Sequence, residues 1–154
     1  MKIKDVLRQD CVCADLTATT KDEAIQQLVN LLIRGFSNLS RDELSHILLE
    51  REKLGSTGIG NGVAIPHGKI STIDHVITGF GRSLQGVPFD AQDGKPVNLF
   101  FVLVAPENAA SLHLKTLARL SRLLKDSTFR HRLLESKTDE EIYQAIIDED
   151  EKYQ

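Results

Sequence analysis

The sequence lacks the features that mark membrane-spanning, secreted and nucleic-acid-binding proteins. No apolar run approaches the roughly 20 residues that a transmembrane helix needs, and the N-terminus has no signal-peptide core. No block of basic residues is present, and the formal net charge is −3. Nucleic acid is therefore not a favoured partner. We expect a cytoplasmic protein that neither inserts into a membrane nor binds nucleic acid.

Cysteine is scarce, and metal-ligand spacings are missing. The two cysteines, Cys11 and Cys13, have no accompanying CxxC or HxxxH pattern, whereas a zinc site usually needs four ligands. We expect two reduced, partly buried thiols. The five histidines do not fall at ligand spacing either, so the sequence predicts neither a metal nor a cofactor.

The composition and the helix signals predict an ordinary globular domain over residues 1–154. Hydrophobic residues make up 41% of the chain and charged residues 27%, and this length allows a real core. Three Ser/Thr-x-x-Glu patterns, at Thr20, Ser40 and Thr138, predict helix starts. Gly35 and Gly55 suit positions just after the first two helices. We expect the charged tail, residues 148–154, to fray.

Strand patterns lie between the helical segments. Residues 97–104 are almost continuously apolar, which predicts a central strand covered on both faces, and residues 76–81 read as a second strand. An extended piece around Cys11 and Cys13 follows a short helical turn. The C-terminal third is helical, with Asp126 or Ser127 as a cap. The order of elements along the chain is helices, then strands, then helices. This order predicts an α/β fold, a three-layer α/β/α sandwich with a central mixed sheet.

The most unusual stretch is residues 55–68, which contains five glycines and ends in Ala64-Ile65-Pro66-His67-Gly68. Glycine admits positive φ and close backbone approach, so we expect a shaped loop whose N–H groups bind an oxyanion. A nucleotide loop is disfavoured. The Walker pattern needs Gly-Lys-Ser/Thr, and a dinucleotide loop needs a preceding strand and a following helix.

Three side chains are candidates for chemistry. His67 follows a proline that stiffens its entry, and a neutral imidazole can act as a nucleophile. Arg51 continues the apolar stripe of its helix and can reach an anion at the loop, although its stem could instead extend to solvent. His113 lies near a predicted helix start, where anions are favoured, although its spacing alone favours a solvent-facing position.

The other polar residues of these segments have simpler explanations. Nothing in their surroundings assigns chemistry to the remaining three histidines, His46, His75 and His131, so we interpret them as structural or surface residues. Glu50 and Glu52 are expected to be solvated.

Residues 51–68, Arg-Glu-Lys-Leu-Gly-Ser-Thr-Gly-Ile-Gly-Asn-Gly-Val-Ala-Ile-Pro-His-Gly, resemble the active-site segment of the fructose/mannitol-type enzyme IIA family of the bacterial phosphotransferase system. Within that family, the chain most resembles the freestanding nitrogen-regulatory branch. The resemblance continues through residues 88–97 and around His113. It implies an α/β/α sandwich and a phosphocarrier.

The resemblance also implies a role for each site residue. His67 would accept a phosphoryl group on Nε2 from the phosphohistidine of a carrier protein of the HPr or NPr type. His113 would orient that group, and Arg51 would neutralise its charge. Further phosphate contacts are expected from the glycine-rich stretch, at Ser56, Thr57, Gly58, Gly60 and Gly62. Lys115 stands where relatives carry another histidine, a difference that we do not expect to abolish transfer.

Other functions remain open at this point. A nitrogen-branch protein would regulate targets by contact, with potassium transport or its sensor kinases as candidates that the family suggests. A sugar-pathway enzyme IIA would instead pass phosphate to a IIB domain, and no fused IIB or IIC segment is evident in these residues. A non-catalytic anion-sensing module could share the fold. A phosphate-ester hydrolase would want a metal cluster or a placed carboxylate, for which Asp90 and Asp93 are weak candidates.

Overall fold

A mixed β-sheet forms the middle layer of the protein. The computed structural model describes residues 1–153, and the strands of this region lie in one six-stranded sheet. They are Leu7–Cys13 (β1), Gly58–Gly60 (β2), Val63–Ala64 (β3), His67–Ile70 (β4), Ile77–Val87 (β5) and Val97–Pro106 (β6). The order across the sheet is β1-β5-β6-β3-β2, and β4 also pairs with β6. A 3₁₀ turn, Ile3–Asp5, precedes β1, as the sequence predicted.

Strand β6 is the centre of this sheet. β5 runs antiparallel along one edge, while β3 and β4 run parallel along the other edge, one after the other. On that second edge Val63 lies opposite Leu99, and His67 lies opposite Leu103. Nearly every residue of β6 is buried, which confirms the predicted central strand.

Five helices flank the sheet in the described region, and the predicted helix starts are confirmed. Their bounds are Lys21–Gly35 (α1), Arg41–Lys53 (α2), Ala110–Lys125 (α3), Ser127–Glu135 (α4) and Asp139–Glu151 (α5). The hydroxyl groups of Thr20, Ser40 and Thr138 each accept a hydrogen bond from the N–H three residues later. Asp126 caps α4. Across residues 1–153, no helix has the length and hydropathy that would let it span a membrane.

The helices cover both faces of the sheet. On one face α1 and α2 bury Leu32 and Leu44 in a cluster with Phe100. On the other face α3, α4 and α5 form a second cluster, in which Phe129 and Phe101 are buried. Phe100 and Phe101 are neighbours in β6 and point to opposite faces, as alternation along a strand requires. The predicted three-layer α/β/α arrangement is confirmed.

The glycine-rich stretch is more regular than the predicted loop. β2 and β3 pair antiparallel within it. Gly60, Asn61 and Gly62 make the turn between them with φ of 97°, 58° and 75°. Glycine adopts a positive φ at little cost, and asparagine is one of the few other residues that does so regularly. The stretch is therefore a tight hairpin whose second strand rests against β6.

The ends of α1 and α5 also differ from the predictions. Gly35 is the last residue of α1, where a Cβ would overlap the Cys11 thiol, and Phe36 forms the cap. The prediction that the tail frays is wrong, because α5 continues to Glu151. Within it, the buried Asp150 accepts hydrogen bonds from the Ile3 N–H at 2.7 Å and from Arg119 Nε at 2.6 Å. Gln154, the final residue of the predicted tail, lies outside the described residues.

Gly68 allows β4 to lie directly against α2. A Cβ at this position would overlap Ile47 Cγ2 and would lie 3.8 Å from Leu48 Cδ2. The methyl group of Ile47 cannot turn away freely, because a β-branched side chain in a helix has one strongly preferred rotamer. The glycine after His67 thus sets the distance between the strand that carries His67 and helix α2.

We expect Gly68→Ala to lower the free energy of unfolding by about 1–3 kcal/mol, the usual cost of overpacking a core. Chemical denaturation followed by circular dichroism measures this change. Ile47→Leu removes the Cγ2 methyl and keeps the volume of the side chain. The double variant should therefore recover most of the loss, and an equal loss in the single and double variants would contradict this packing explanation.

Candidate functional site

The imidazole of His67 is held by the main chain that precedes it, which hydrogen bonds fix in place. The Pro66 carbonyl accepts the Leu103 N–H at 2.9 Å, and the Ile65 N–H donates to the Thr57 carbonyl at 3.1 Å. His67 Nδ1 lies 2.8 Å from the Ile65 carbonyl oxygen. Because a carbonyl can only accept, Nδ1 carries the hydrogen and Nε2 keeps its lone pair.

His113 lies beside His67, although the two are far apart in the sequence. Their ring centroids are 5.3 Å apart, with 71° between the ring planes. His113 is in the first turns of α3 and only 6% exposed, so the solvent-facing alternative is wrong. Among the described residues its buried Nε2 has no hydrogen-bond partner. Buried polar atoms are nearly always paired, which makes this nitrogen a candidate contact for a bound group.

Arg51 reaches the same region from the last turn of α2. It is half-buried, and its Nη1 donates to the Gly55 carbonyl at 2.8 Å. Gly55 follows the end of α2 with φ of 146°, as predicted for a glycine in that place. The guanidinium is thus directed to the start of the glycine-rich stretch, and its charge acts on His67.

The electrostatic surroundings keep both imidazoles uncharged near neutral pH. Burial lowers the pKa of His67 by more than its bond to the Ile65 carbonyl raises it; the Arg51 charge lowers it further, and Glu52 opposes that effect. Burial also lowers the pKa of His113, and the neighbouring His67 and Lys69 act in the same direction. A neutral imidazole with a free Nε2 is the form that can act as a nucleophile.

The polar groups of residues 56–58 already have partners in the structure. Ser56 Oγ donates to the Phe89 carbonyl at 2.6 Å and accepts the Gly58 N–H at 3.0 Å. The Thr57 hydroxyl and N–H both bond to the Glu52 carboxylate. These groups shape the approach to His67, and their direct contact with phosphate stays a prediction.

Gly60 and Gly62 are not brought to His67. Val63, next to Gly62, pairs with Leu99, whereas His67 pairs with Leu103. Four residues of strand correspond to roughly 13 Å. The two glycines form the distal turn of the hairpin, so the structure offers no support for the phosphate contacts predicted for them.

Glu52 was expected to be solvated, and that expectation is wrong. The residue is 7% exposed, and its carboxylate lies between Thr57 and Lys21. The sequence contained a signal for this burial, because Glu52 continues the i, i+4, i+8 stripe of Leu44 and Leu48. Its neighbour Glu50 is exposed, as expected.

The remaining histidines and the cysteines lie outside the site. The exposed positions of His46, His75 and His131 confirm that they are surface residues. Cys11 is buried and Cys13 half-buried, both are free thiols, and burial raises the pKa of each. In residues 1–153 no three His, Cys, Asp or Glu side chains are grouped as metal ligands.

Known proteins share both the sequence and the fold of this chain. A nitrogen regulatory protein from Bradyrhizobium diazoefficiens is 36% identical over 146 residues, which cover 95% of each chain. The PTS system fructose-specific EIIABC component of Bacillus subtilis is 35% identical over 150 residues, which cover 97% of this chain and 24% of that protein. The crystal structure of nitrogen regulatory protein IIA-Ntr from Neisseria meningitidis matches with a TM-score of 0.87 and 37% identity, covering 94% of this chain and 98% of that one.

A family model agrees with these pairwise similarities. The model described as "Phosphoenolpyruvate-dependent sugar phosphotransferase system, EIIA 2" matches residues 5–149, which include every candidate site residue. The similarity therefore extends over almost the whole chain, and it confirms the resemblance predicted from residues 51–68. This chain belongs to the EIIA type 2 family of the phosphoenolpyruvate-dependent sugar phosphotransferase system.

Proposed function

We propose that this protein is a cytoplasmic phosphocarrier of the nitrogen-regulatory branch of the phosphotransferase system. It accepts a phosphoryl group on His67 from a phosphohistidine carrier protein of the HPr or NPr type, and its phosphorylation state regulates target proteins. Membership of the EIIA family implies phosphoryl transfer between proteins. The observation that carries the assignment to His67 is the bond of its Nδ1 to the Ile65 carbonyl, which frees Nε2 beside the unpaired Nε2 of His113.

The transfer step follows from this tautomer. The Nε2 lone pair of His67 attacks the phosphorus of the donor phosphohistidine. A new N–P bond forms on His67 as the N–P bond of the donor breaks, and the bonding electrons leave with the donor imidazole. The phosphorylated ring of His67 retains its Nδ1–H and gains positive character. The Ile65 carbonyl at 2.8 Å favours that charged form.

Arg51 and His113 are suited to the oxygens of the transferred group. A phosphoryl group spreads negative charge over three oxygens in the transition state, so catalysis depends mainly on positioning and on positive or donor groups. Arg51 supplies a guanidinium fork, of which one nitrogen bonds to Gly55. His113 lies beside His67, with 5.3 Å between the ring centroids, and supplies an imidazole N–H once its ring takes up a proton or changes tautomer.

The surface around the site suits a protein donor. Three large apolar side chains flank the site residues in the sequence and are exposed, namely Leu54 at 84%, Leu112 at 38% and Leu114 at 66%. Exposed apolar groups next to a reactive centre are typical of a protein interaction surface. A carrier protein, rather than a small phosphorylated molecule, would cover them during transfer.

A second candidate function differs only in the recipient of the phosphoryl group. The similarity to the Bacillus subtilis fructose-specific EIIABC component favours a sugar-pathway enzyme IIA that passes phosphate to a IIB domain. Incubation of the phosphorylated protein with a purified IIB domain separates the two functions. Rapid and complete loss of phosphate to IIB would favour the sugar pathway, and retention of phosphate would favour the regulatory one.

We expect His67→Ala to abolish phosphoryl acceptance, because it removes the nucleophile. Intact-protein mass spectrometry after incubation with a phosphorylated carrier protein measures the uptake. His131→Ala, at an exposed position away from the site, is the control and should be labelled as the wild type is. Equal labelling of the wild type and His67→Ala would refute the assignment.

We expect His113→Ala to slow acceptance by about 10²-fold, the usual effect of removing one group that stabilises transition-state charge. The variant should fold, because His113 Nε2 has no hydrogen-bond partner among the described residues that its loss would leave unpaired. Rapid-quench kinetics and thermal unfolding, measured on the same preparation, check both parts. Unfolding of this variant would instead show that His113 serves the core.

We expect His67 and His113 to titrate at midpoints below about 6.5, the usual pKa of histidine. Burial disfavours the charged ring, so the neutral form of each persists to lower pH than in a free histidine. NMR titration of the ring carbons measures the midpoints, with a peptide of residues 63–70 as the reference for His67. A midpoint for His67 at or above that of the peptide would contradict the burial argument.

A further inference from the structure

Glu52 is a buried carboxylate with a complete set of partners. Its side chain is 4% exposed, and the Lys21 ammonium lies 3.0 Å from it. It also accepts hydrogen bonds from the Thr57 N–H at 3.1 Å and from the Thr57 hydroxyl. Burial of a charge is tolerated only when it is paired in this way. By contrast, the side chain of Glu50, on the same helix, is 48% exposed.

Stability alone does not account for a carboxylate at this position. The apolar stripe of α2, Leu44 and Leu48, continues at Glu52, so an apolar side chain would also fit the pattern of burial. Replacing a buried ion pair by well-packed apolar groups is often neutral or stabilising. The carboxylate is better explained by the main-chain hydrogen bonds of its partner Thr57.

Thr57 connects Glu52 to His67 through main-chain hydrogen bonds. Its N–H is held by Glu52, and its carbonyl accepts the Ile65 N–H at 3.1 Å. The Ile65 carbonyl in turn accepts the Nδ1–H of His67 at 2.8 Å. Three consecutive hydrogen bonds thus lead from the buried carboxylate to the ring that carries the free Nε2.

The turn that Glu52 anchors also holds Arg51. The Gly55 N–H donates to the main-chain carbonyl of Glu52 at 3.1 Å, and the Gly55 carbonyl accepts Arg51 Nη1 at 2.8 Å. Residues 55–57 therefore bond directly to Arg51, and through Ile65 they hold the carbonyl that accepts the His67 Nδ1–H. Movement of this turn would displace the guanidinium and loosen the carbonyl that orients the imidazole.

We infer that Glu52 is a positioning residue for the phosphoryl transfer. Its carboxylate, paired with Lys21, holds the 55–57 turn so that His67 stays in the Nδ1–H tautomer and Arg51 stays directed to the site. Glu52 makes no contact with the reacting atoms and exchanges no proton in the reaction. The kinetic consequence of this inference rests on the proposed function, whereas the tautomer of His67 does not.

The test compares Glu52→Gln with Glu50→Gln, which makes the same chemical change at an exposed position of the same helix. Glutamine keeps the length of the side chain, but it cannot pair with the Lys21 charge while accepting both Thr57 bonds. We expect the ¹⁵N spectrum of the His67 ring to show signals of an Nε2–H tautomer in Glu52→Gln and not in Glu50→Gln. In Glu52→Gln the rate of phosphoryl acceptance from a phosphorylated carrier protein should fall by about 10- to 100-fold, the loss expected when reacting groups are misplaced by about 1 Å.

The ring spectrum decides the inference separately from the activity. A wild-type tautomer in folded Glu52→Gln would overturn it, whatever the transfer rate. If the wild type itself took up no phosphate, the proposed function would fail, and the spectra would still show whether Glu52 sets the tautomer. Should Glu52→Gln not fold, Glu52→Asp keeps the charge and shortens its reach to Thr57. An unchanged His67 spectrum in that variant would equally overturn the inference.

Discussion

One edge of strand β6 accepts two short strands in succession, and this main-chain pairing constrains the site. β3 occupies the positions opposite Leu99 and Phe100, and β4 begins opposite Leu103. Between them, Pro66 has no N–H, and its carbonyl accepts the Leu103 N–H. The Ile65 carbonyl accepts the His67 ring instead. The register of the sheet thereby sets which nitrogen of His67 is free.

The position of β4 also explains how residues from opposite faces of the sheet meet. α2 lies against β4 through the contact of Ile47 with Gly68, and α3 packs on the other face against β6. His67 begins β4, which pairs with β6 alone in the described region. At this sheet border Arg51 from one layer and His113 from the other can both approach one imidazole.

The site combines neutral nucleophilic chemistry with fixed positive charge. Burial and neighbouring positive charge lower the pKa of His67, so the ring keeps its lone pair, while the Ile65 carbonyl and Glu52 favour the charged form of the ring. These opposing influences suit the proposed transfer, in which His67 would first attack and later release a phosphoryl group. They depend on burial and on contacts within this domain, whereas the recipient in the proposed transfer would depend on partner proteins.

The sequence by itself determined the features that arise from neighbouring residues. Helix starts at Thr20, Ser40 and Thr138 depend on a hydroxyl and an N–H three residues away, and the strand β6 depends on a continuous apolar run. The motif around His67 was also sufficient to indicate the family, because its glycines, proline and histidine are contiguous.

Only the tertiary structure decided which distant residues share the site. It placed His113 beside His67, moved Gly60 and Gly62 to the far turn of the hairpin, and buried Glu52 between Lys21 and Thr57. The physical reason is that strand register and helix packing are set by contacts between segments far apart in the chain. Such contacts left no spacing signal at His113 or at the hairpin glycines, and the helical stripe of α2 could indicate that Glu52 is buried but not which residues pair with it.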